Sequence, residues 1–102
     1  MKEHEFFEVI RPVAELVDAK DRDYNAGVPL EEYFPFGHKS YIHMLHTKVL
    51  RLMSLVKARK QPSFESLEDT VNDLIAYAVF YKAYLQTPAG PTTEDNDDGQ
   101  PF

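Results

Sequence analysis

Three carboxylates, Glu65, Asp69 and Asp73, follow one another at intervals of four residues. In a helix that spacing stacks them along one side, where like charges repel by roughly 0.2–0.5 kcal/mol per pair. Asp73 stands between apolar residues, where an unpaired carboxylate is costlier. Two kinds of partner would offset that cost. One is a cation from another helix, with Lys48 and Arg51, three apart beside an apolar stripe, as the candidates. The other is Mg²⁺, which takes carboxylate oxygens and bridges them to substrate phosphates. The first reading makes the acids an internal tie or a solvated face. The second makes Glu65, Asp69 and Asp73 metal ligands and leaves Lys48 and Arg51 to hold phosphate. Glu68 and Asp69 are equally well explained as complements to the positive end of a helix dipole.

Other polar groups carry weaker signals. His43 and His46 are three apart on a helix, a spacing that can hold one metal, but no third ligand stands nearby and ordinary surface histidines are the simpler reading. His4 and His38 have no partner signal. The stretch Lys20-Asp21-Arg22-Asp23-Tyr24-Asn25 mixes charge with an aromatic ring, as a helix terminus with local ion pairs would. Phosphate-loop, dinucleotide-binding and nucleophile-elbow motifs are all missing.

The elements that must position these residues are helical. Phe6, Ile10, Val13 and Val17 keep the three-four spacing of one helix face, predicting a first helix from Glu3 or Pro12 to Asp23. Pro12 either kinks that helix or opens it, and the stripe running through it favours one kinked helix. Asn25-Ala26-Gly27 ends it, with Gly27 suited to a left-handed conformation. Residues 28–37 hold Pro29, Pro35 and Gly37 yet also Leu30, Tyr33, Phe34 and Phe36; so much apolar surface predicts a loop packed across the helices, with one short turn at Leu30 to Tyr33. Ile42, Leu45, Val49, Leu52 and Val56 predict a second helix from about His38 to Arg59, stopped before Pro62 and closed by cations that suit its negative end. A third helix begins near Ser63 or Ser66. It carries one stripe of Leu67, Val71, Leu74, Ala78, Tyr81 and Leu85, and another of Ala76, Tyr77, Phe80 and Tyr84. A helix apolar on most sides is buried on most sides.

The expected fold is therefore an all-α, three-helix protomer that completes a helical bundle by homodimerisation. Residues 1–86 form one domain. Residues 87–102, rich in proline, glycine and acid, form a disordered acidic tail. The chain has 102 residues, no cysteine and a net charge of -6, which excludes disulfides and zinc-thiolate sites and argues against binding duplex nucleic acid by phosphate neutralisation. Between Glu32 and Glu65 there is no acid, while Lys39, Lys48, Arg51, Lys57, Arg59 and Lys60 fall there. That basic segment either pairs with its acidic neighbours or binds phosphate. The charged start MKEHEFFEVI and the lack of a long apolar run predict neither a signal peptide nor a membrane span.

Three segments together carry a resemblance: KDRDYNAG, HMLHTKVLRLMSL and FESLEDTVNDLIAYAVFY. Over roughly residues 13–86 the chain resembles a phage-encoded nucleotide-modification-associated domain family, related to the all-α nucleoside triphosphate pyrophosphatases of the MazG type. The resemblance implies a cytoplasmic protein of a phage-infected bacterium that binds a nucleotide through Lys20, Tyr24, Lys48 and Arg51. It also implies a Mg²⁺ site at Glu65, Asp69 and Asp73 and hydrolysis between the α and β phosphates. The pyrophosphatases hold their metal with an E-x-x-E pair and an E-x-x-D pair. Here His43-Met-Leu-His46 stands in place of the first, and Asp69-x-x-Asn72 loosely replaces the second, so a two-ion site is short of ligands. The competing expectation is a non-enzymatic acidic protein that binds and inhibits a host nuclease, polymerase or defence complex. In that case Lys48 and Arg51 are consumed by Asp69 and Asp73, and the loop Tyr33-Phe34-Pro35-Phe36 is the contact surface.

Overall fold

The computed structural model describes residues 1–58 and 64–87, with no side-chain description for residues 64–66. It contains three α-helices and one short 3-10 helix: α1 (Glu3–Tyr24), the 3-10 helix (Leu30–Tyr33), α2 (His38–Lys57) and α3 (Phe64–Gln86). No strand occurs among the described residues. The expected acidic tail, and Ser63 as the start of the third helix, lie outside them.

The first helix runs without interruption through Pro12. Its C-terminus is organised by Asn25. The Asn25 side-chain amide donates to the Asp21 carbonyl at 2.8 Å and to the Asp21 carboxylate at 3.0 Å. Its side-chain oxygen accepts the Leu30 backbone N–H at 2.7 Å. One residue thus closes α1 and launches the 3-10 helix. Positive φ, expected at Gly27, occurs instead at Gly37, where φ is 59° and ψ is −127°. Only glycine enters that region cheaply. The reason is directional: Phe34 must turn inward and α2 must start immediately afterwards, so the reversal falls at Gly37. Its carbonyl then accepts the N–H groups of Ser40 and Tyr41 at 3.0 and 3.2 Å.

The loop does pack across the helices. Leu30 and Phe34 join Tyr41, Tyr77 and Phe80 in one buried cluster, with Val17, Tyr24, Met44, Leu45, Tyr81 and Tyr84 packed around it. Tyr41 lies between Phe34, with centroids 4.2 Å apart and planes at 5°, and Tyr81, at 5.3 Å and 10°. Stacked and edge-on rings of this kind add to the burial of their large apolar area.

This aromatic core selects among the apolar stripes expected on the helices. On α3 the deeply buried positions are Thr70, Ala76, Tyr77 and Phe80, whereas Val71, Ala78 and Leu85 of the first stripe are exposed. On α2 the buried residue is Tyr41, while Val49 and Val56 are exposed together with Leu50 and Met53. The second expected stripe of α3, Ala76, Tyr77 and Phe80 with the partly buried Tyr84, is thus its inner one, while the expected stripe of α2 is partly buried at Ile42, Leu45 and Leu52 and passes over Tyr41. Exposed apolar groups also stand on α1, at Phe6, Phe7 and Val9.

Candidate functional site

The three long helices meet at Asp73. Lys20 of α1 places its Nζ 3.4 Å from Asp73 Oδ1, and Lys48 of α2 places its Nζ 3.3 Å from Asp73 Oδ2. The three side chains are 23%, 24% and 28% exposed, in the order Lys20, Lys48, Asp73. One turn further along α3, the Tyr77 ring lies beneath both ammonium groups, 5.2 Å from Lys20 Nζ and 5.7 Å from Lys48 Nζ. A ring face at that range attracts a cation through its quadrupole. The Tyr77 hydroxyl shares a 2.6 Å hydrogen bond with the Tyr24 hydroxyl of α1. Burial and that bond push the Tyr24 phenol up to about 12, against a smaller opposing pull from Lys20 and Lys48.

The helices bring this group together by register. Lys20 and Tyr24 are four apart on α1, and Asp73 and Tyr77 are four apart on α3, so each pair projects from one side of its helix. Two ammonium groups face one carboxylate, leaving one positive charge uncompensated within the group. An open pocket of about 300 Å³ lies against it, lined by Lys20, Asp23, Tyr24 and Tyr33. Asp23 makes no ion pair with either lysine among the described residues.

Four of the residues expected to bind a substrate or metal therefore converge: Lys20, Tyr24, Lys48 and Asp73. Arg51 is exposed on α2 and makes no ion pair among the described residues, and Asp69 is exposed on α3. The pairing of Arg51 with Asp69 that would consume both is not present. The Glu65 side chain lies outside the described residues. Both Asp73 oxygens face ammonium groups, a setting unfavourable to a divalent cation. No group of three His, Asp or Glu side chains among the described residues is placed to hold a metal. His43 and His46 are exposed. His38, which had no partner signal, shares a 2.8 Å hydrogen bond through Nδ1 with the Tyr81 hydroxyl. Near the end of α1, Arg22 pairs with Asp18 on the surface.

Sequence reasoning missed Tyr77 as a member of the site. Its signal was the four-residue step from Asp73, obscured because the ring counted toward an apolar stripe.

The chain matches no family model, no curated protein and no solved structure. No helix among the described residues is long and apolar enough to cross a membrane.

Proposed function

We propose that the chain binds a nucleotide phosphate at the junction of α1, α2 and α3, as a phage-type protein of nucleotide metabolism. One observation carries the reading: Lys20 and Lys48 come from separate helices to a single carboxylate, half-buried beside an open pocket with tyrosines on its wall. Lysine is a point-charge phosphate binder, and partial burial strengthens its attraction for an anion. The Tyr24 and Tyr33 rings offer apolar area for a base. Arg51, three residues from Lys48 on α2, is exposed. All three segments that resemble the MazG-type enzymes contribute to this junction. The described residues give less support to Mg²⁺-dependent hydrolysis, since the Asp73 oxygens are already engaged by ammonium groups.

The test is thermal unfolding with nucleoside mono-, di- and triphosphates, with and without Mg²⁺. A ligand at a hundred times its Kd adds about 2.7 kcal/mol, which raises the Tm of a domain this size by roughly 10 °C or more. Lys20→Gln and Lys48→Gln should each abolish most of the shift. If no nucleotide moves the Tm of the parent protein, the reading fails. Pyrophosphate release in the same panel reports hydrolysis, and its dependence on Mg²⁺ reports the metal.

A second reading has its own supporting observation. Asp73 is tied by both oxygens, and Tyr33 and Phe36 of the loop are exposed, Phe36 at 74%, with Glu31 and Glu32 beside them. That surface suits an acidic protein that binds a host protein without catalysis. Phe34, in contrast, is buried and belongs to the core rather than to the contact. Capture of a stoichiometric bacterial partner that is lost on Phe36→Ser supports this reading, and capture of none counts against it.

Self-association belongs to the same proposal. Val49, Leu50, Met53 and Val56 of α2 form an exposed apolar strip about two turns long, and a second copy of the chain is its simplest cover.

A further inference from the structure

The inner stripe of α1 outruns the helix it packs against. Lys20 meets Asp73 and Tyr24 meets Tyr77, so α1 and α3 run parallel and in step. Lys20 lies seventeen residues beyond the start of α1, and Asp73 only nine beyond the start of α3. Roughly the first eight residues of α1 therefore pass the start of α3, an overhang of about 12 Å at the helical rise. Exposure along one face follows this register. Phe6, Val9, Val13 and Val17 share a side of the helix, yet Val13 is 3% exposed, Phe6 49% and Val9 61%. Phe7, edge-on to Phe6 with centroids 5.4 Å apart, widens the bare patch.

A second bare surface points to the same end of the molecule. Lys48 meets Asp73 and His38 meets Tyr81, so α2 runs antiparallel to α3, and residues 49–57 lead toward the end where α3 starts. The exposed strip Val49, Leu50, Met53 and Val56 lies there. It is about 10 Å long at the helical rise, close to the length of the overhang. Strip and overhang are both exposed in one chain, so a chain's own overhang does not cover its own strip. Their charges are opposite. From Glu3 to Ile10 the overhang carries Glu3, Glu5 and Glu8 and no lysine or arginine, whereas α2 carries no acid, and Arg51 and Lys57 stand exposed in the turns of its strip. None of these five side chains has an ion pair with a described residue.

We propose that two copies of the chain exchange overhangs, the start of α1 in each copy lying on the α2 strip of the other. The inference rests on the self-association proposed above and assigns the surface that meets the strip. A two-fold axis near the end where α3 begins makes the exchange reciprocal, so one complementary pair of surfaces is used twice. Each contact joins apolar to apolar and acid to base. Strip on strip would bring Arg51 and Lys57 of one copy beside the same cations of its partner, and overhang on overhang would do so with glutamates, arrangements that like charges oppose.

The test is sedimentation equilibrium of the full chain. The overhang variant Phe6→Glu with Val9→Glu and the strip variant Leu50→Glu with Met53→Glu are each expected to run as monomers with the helical circular dichroism of the parent. Mixed in equal amounts they should form a dimer, because one intact overhang still meets one intact strip. With one contact of two remaining, that dimer should be at least about tenfold weaker than the parent. The chain has no cysteine, so Val9→Cys and Met53→Cys give a second readout without charged substitutions: oxidised together, the two should cross-link to each other faster than either does to itself. An overhang variant that stays dimeric, a mixture without heterodimer, or a Met53→Cys chain that cross-links fastest to itself overturns the exchange and leaves self-association standing. A monomeric parent chain overturns both.

Discussion

At the scale of single residues, Tyr24 and Tyr77 join α1 to α3 by one short hydrogen bond. Tyr24→Phe leaves the Tyr77 hydroxyl without that partner and should cost about 1 kcal/mol in urea unfolding. Burial of the Tyr24 phenol, with that bond, also creates a pH dependence. The Tyr24 phenol is raised from 10.0 to about 12 on folding, so the folded protein holds this proton more tightly than the unfolded chain. Its contribution to stability is complete below the unfolded value and is lost as pH rises through the folded one. Urea midpoints should therefore fall between about pH 10 and pH 12, less steeply in Tyr24→Phe. Asp73→Asn removes the only carboxylate between Lys20 and Lys48 among the described residues and should cost about 1 kcal/mol, a cost that added salt reduces. The sequence made an ion pair between Asp73 and a cation of α2 legible, because a carboxylate flanked by apolar residues needs a partner and α2 offered two cations three apart. It did not make legible which cation of α2 would be chosen. Lys48 and Arg51 lie three apart, and the packing angle that turns one inward is a property of the tyrosine core rather than of either residue.

At the scale of elements, the segment between α1 and α2 is held by its own anchors. Phe34 stacks on Tyr41 inside the core, and Phe34→Ala should cost about 3–5 kcal/mol, enough to lower the thermal midpoint sharply. The glycines bracketing this segment should respond in opposite ways. Gly37 sits at φ 59° and ψ −127°, so Gly37→Ala should lose about 1–3 kcal/mol. At Gly27 an added methyl would meet nothing within 4 Å, and φ is not positive. Gly27→Ala should be neutral or gain up to about 1 kcal/mol by restricting the unfolded chain. Chemical denaturation of the two variants side by side checks both. The short turn at Leu30 to Tyr33 was readable from its crowding of apolar residues between prolines. The position of the left-handed residue was not, because both glycines follow plausible stopping points, and only the inward turn of Phe34 decides between them.

At the scale of the whole molecule, the number and order of helices followed from proline and glycine punctuation, and the inner stripe of α3 was one of two that the sequence offered, but the place of Tyr41 on the inner face of α2 was not legible. A core of tyrosines is half invisible to a hydropathy pattern, and some of the aliphatic residues that the pattern favours, Val49 and Val56 among them, stand outside it. The exposed strip Val49, Leu50, Met53 and Val56 is the surface on which the proposed self-association would act. Sedimentation equilibrium should find a dimer, and the double substitution Leu50→Glu and Met53→Glu should return a folded monomer. The aromatic core has a further consequence in optics. The protein has six tyrosines and no tryptophan, and Tyr24, Tyr33, Tyr41, Tyr77, Tyr81 and Tyr84 are linked through ring neighbours no more than 6.4 Å apart. Light absorbed by any of these chromophores migrates among the others before it is emitted, which scrambles its polarisation. The native fold thus carries a built-in reporter of its own integrity, dark to tryptophan excitation and readable as depolarised ultraviolet emission.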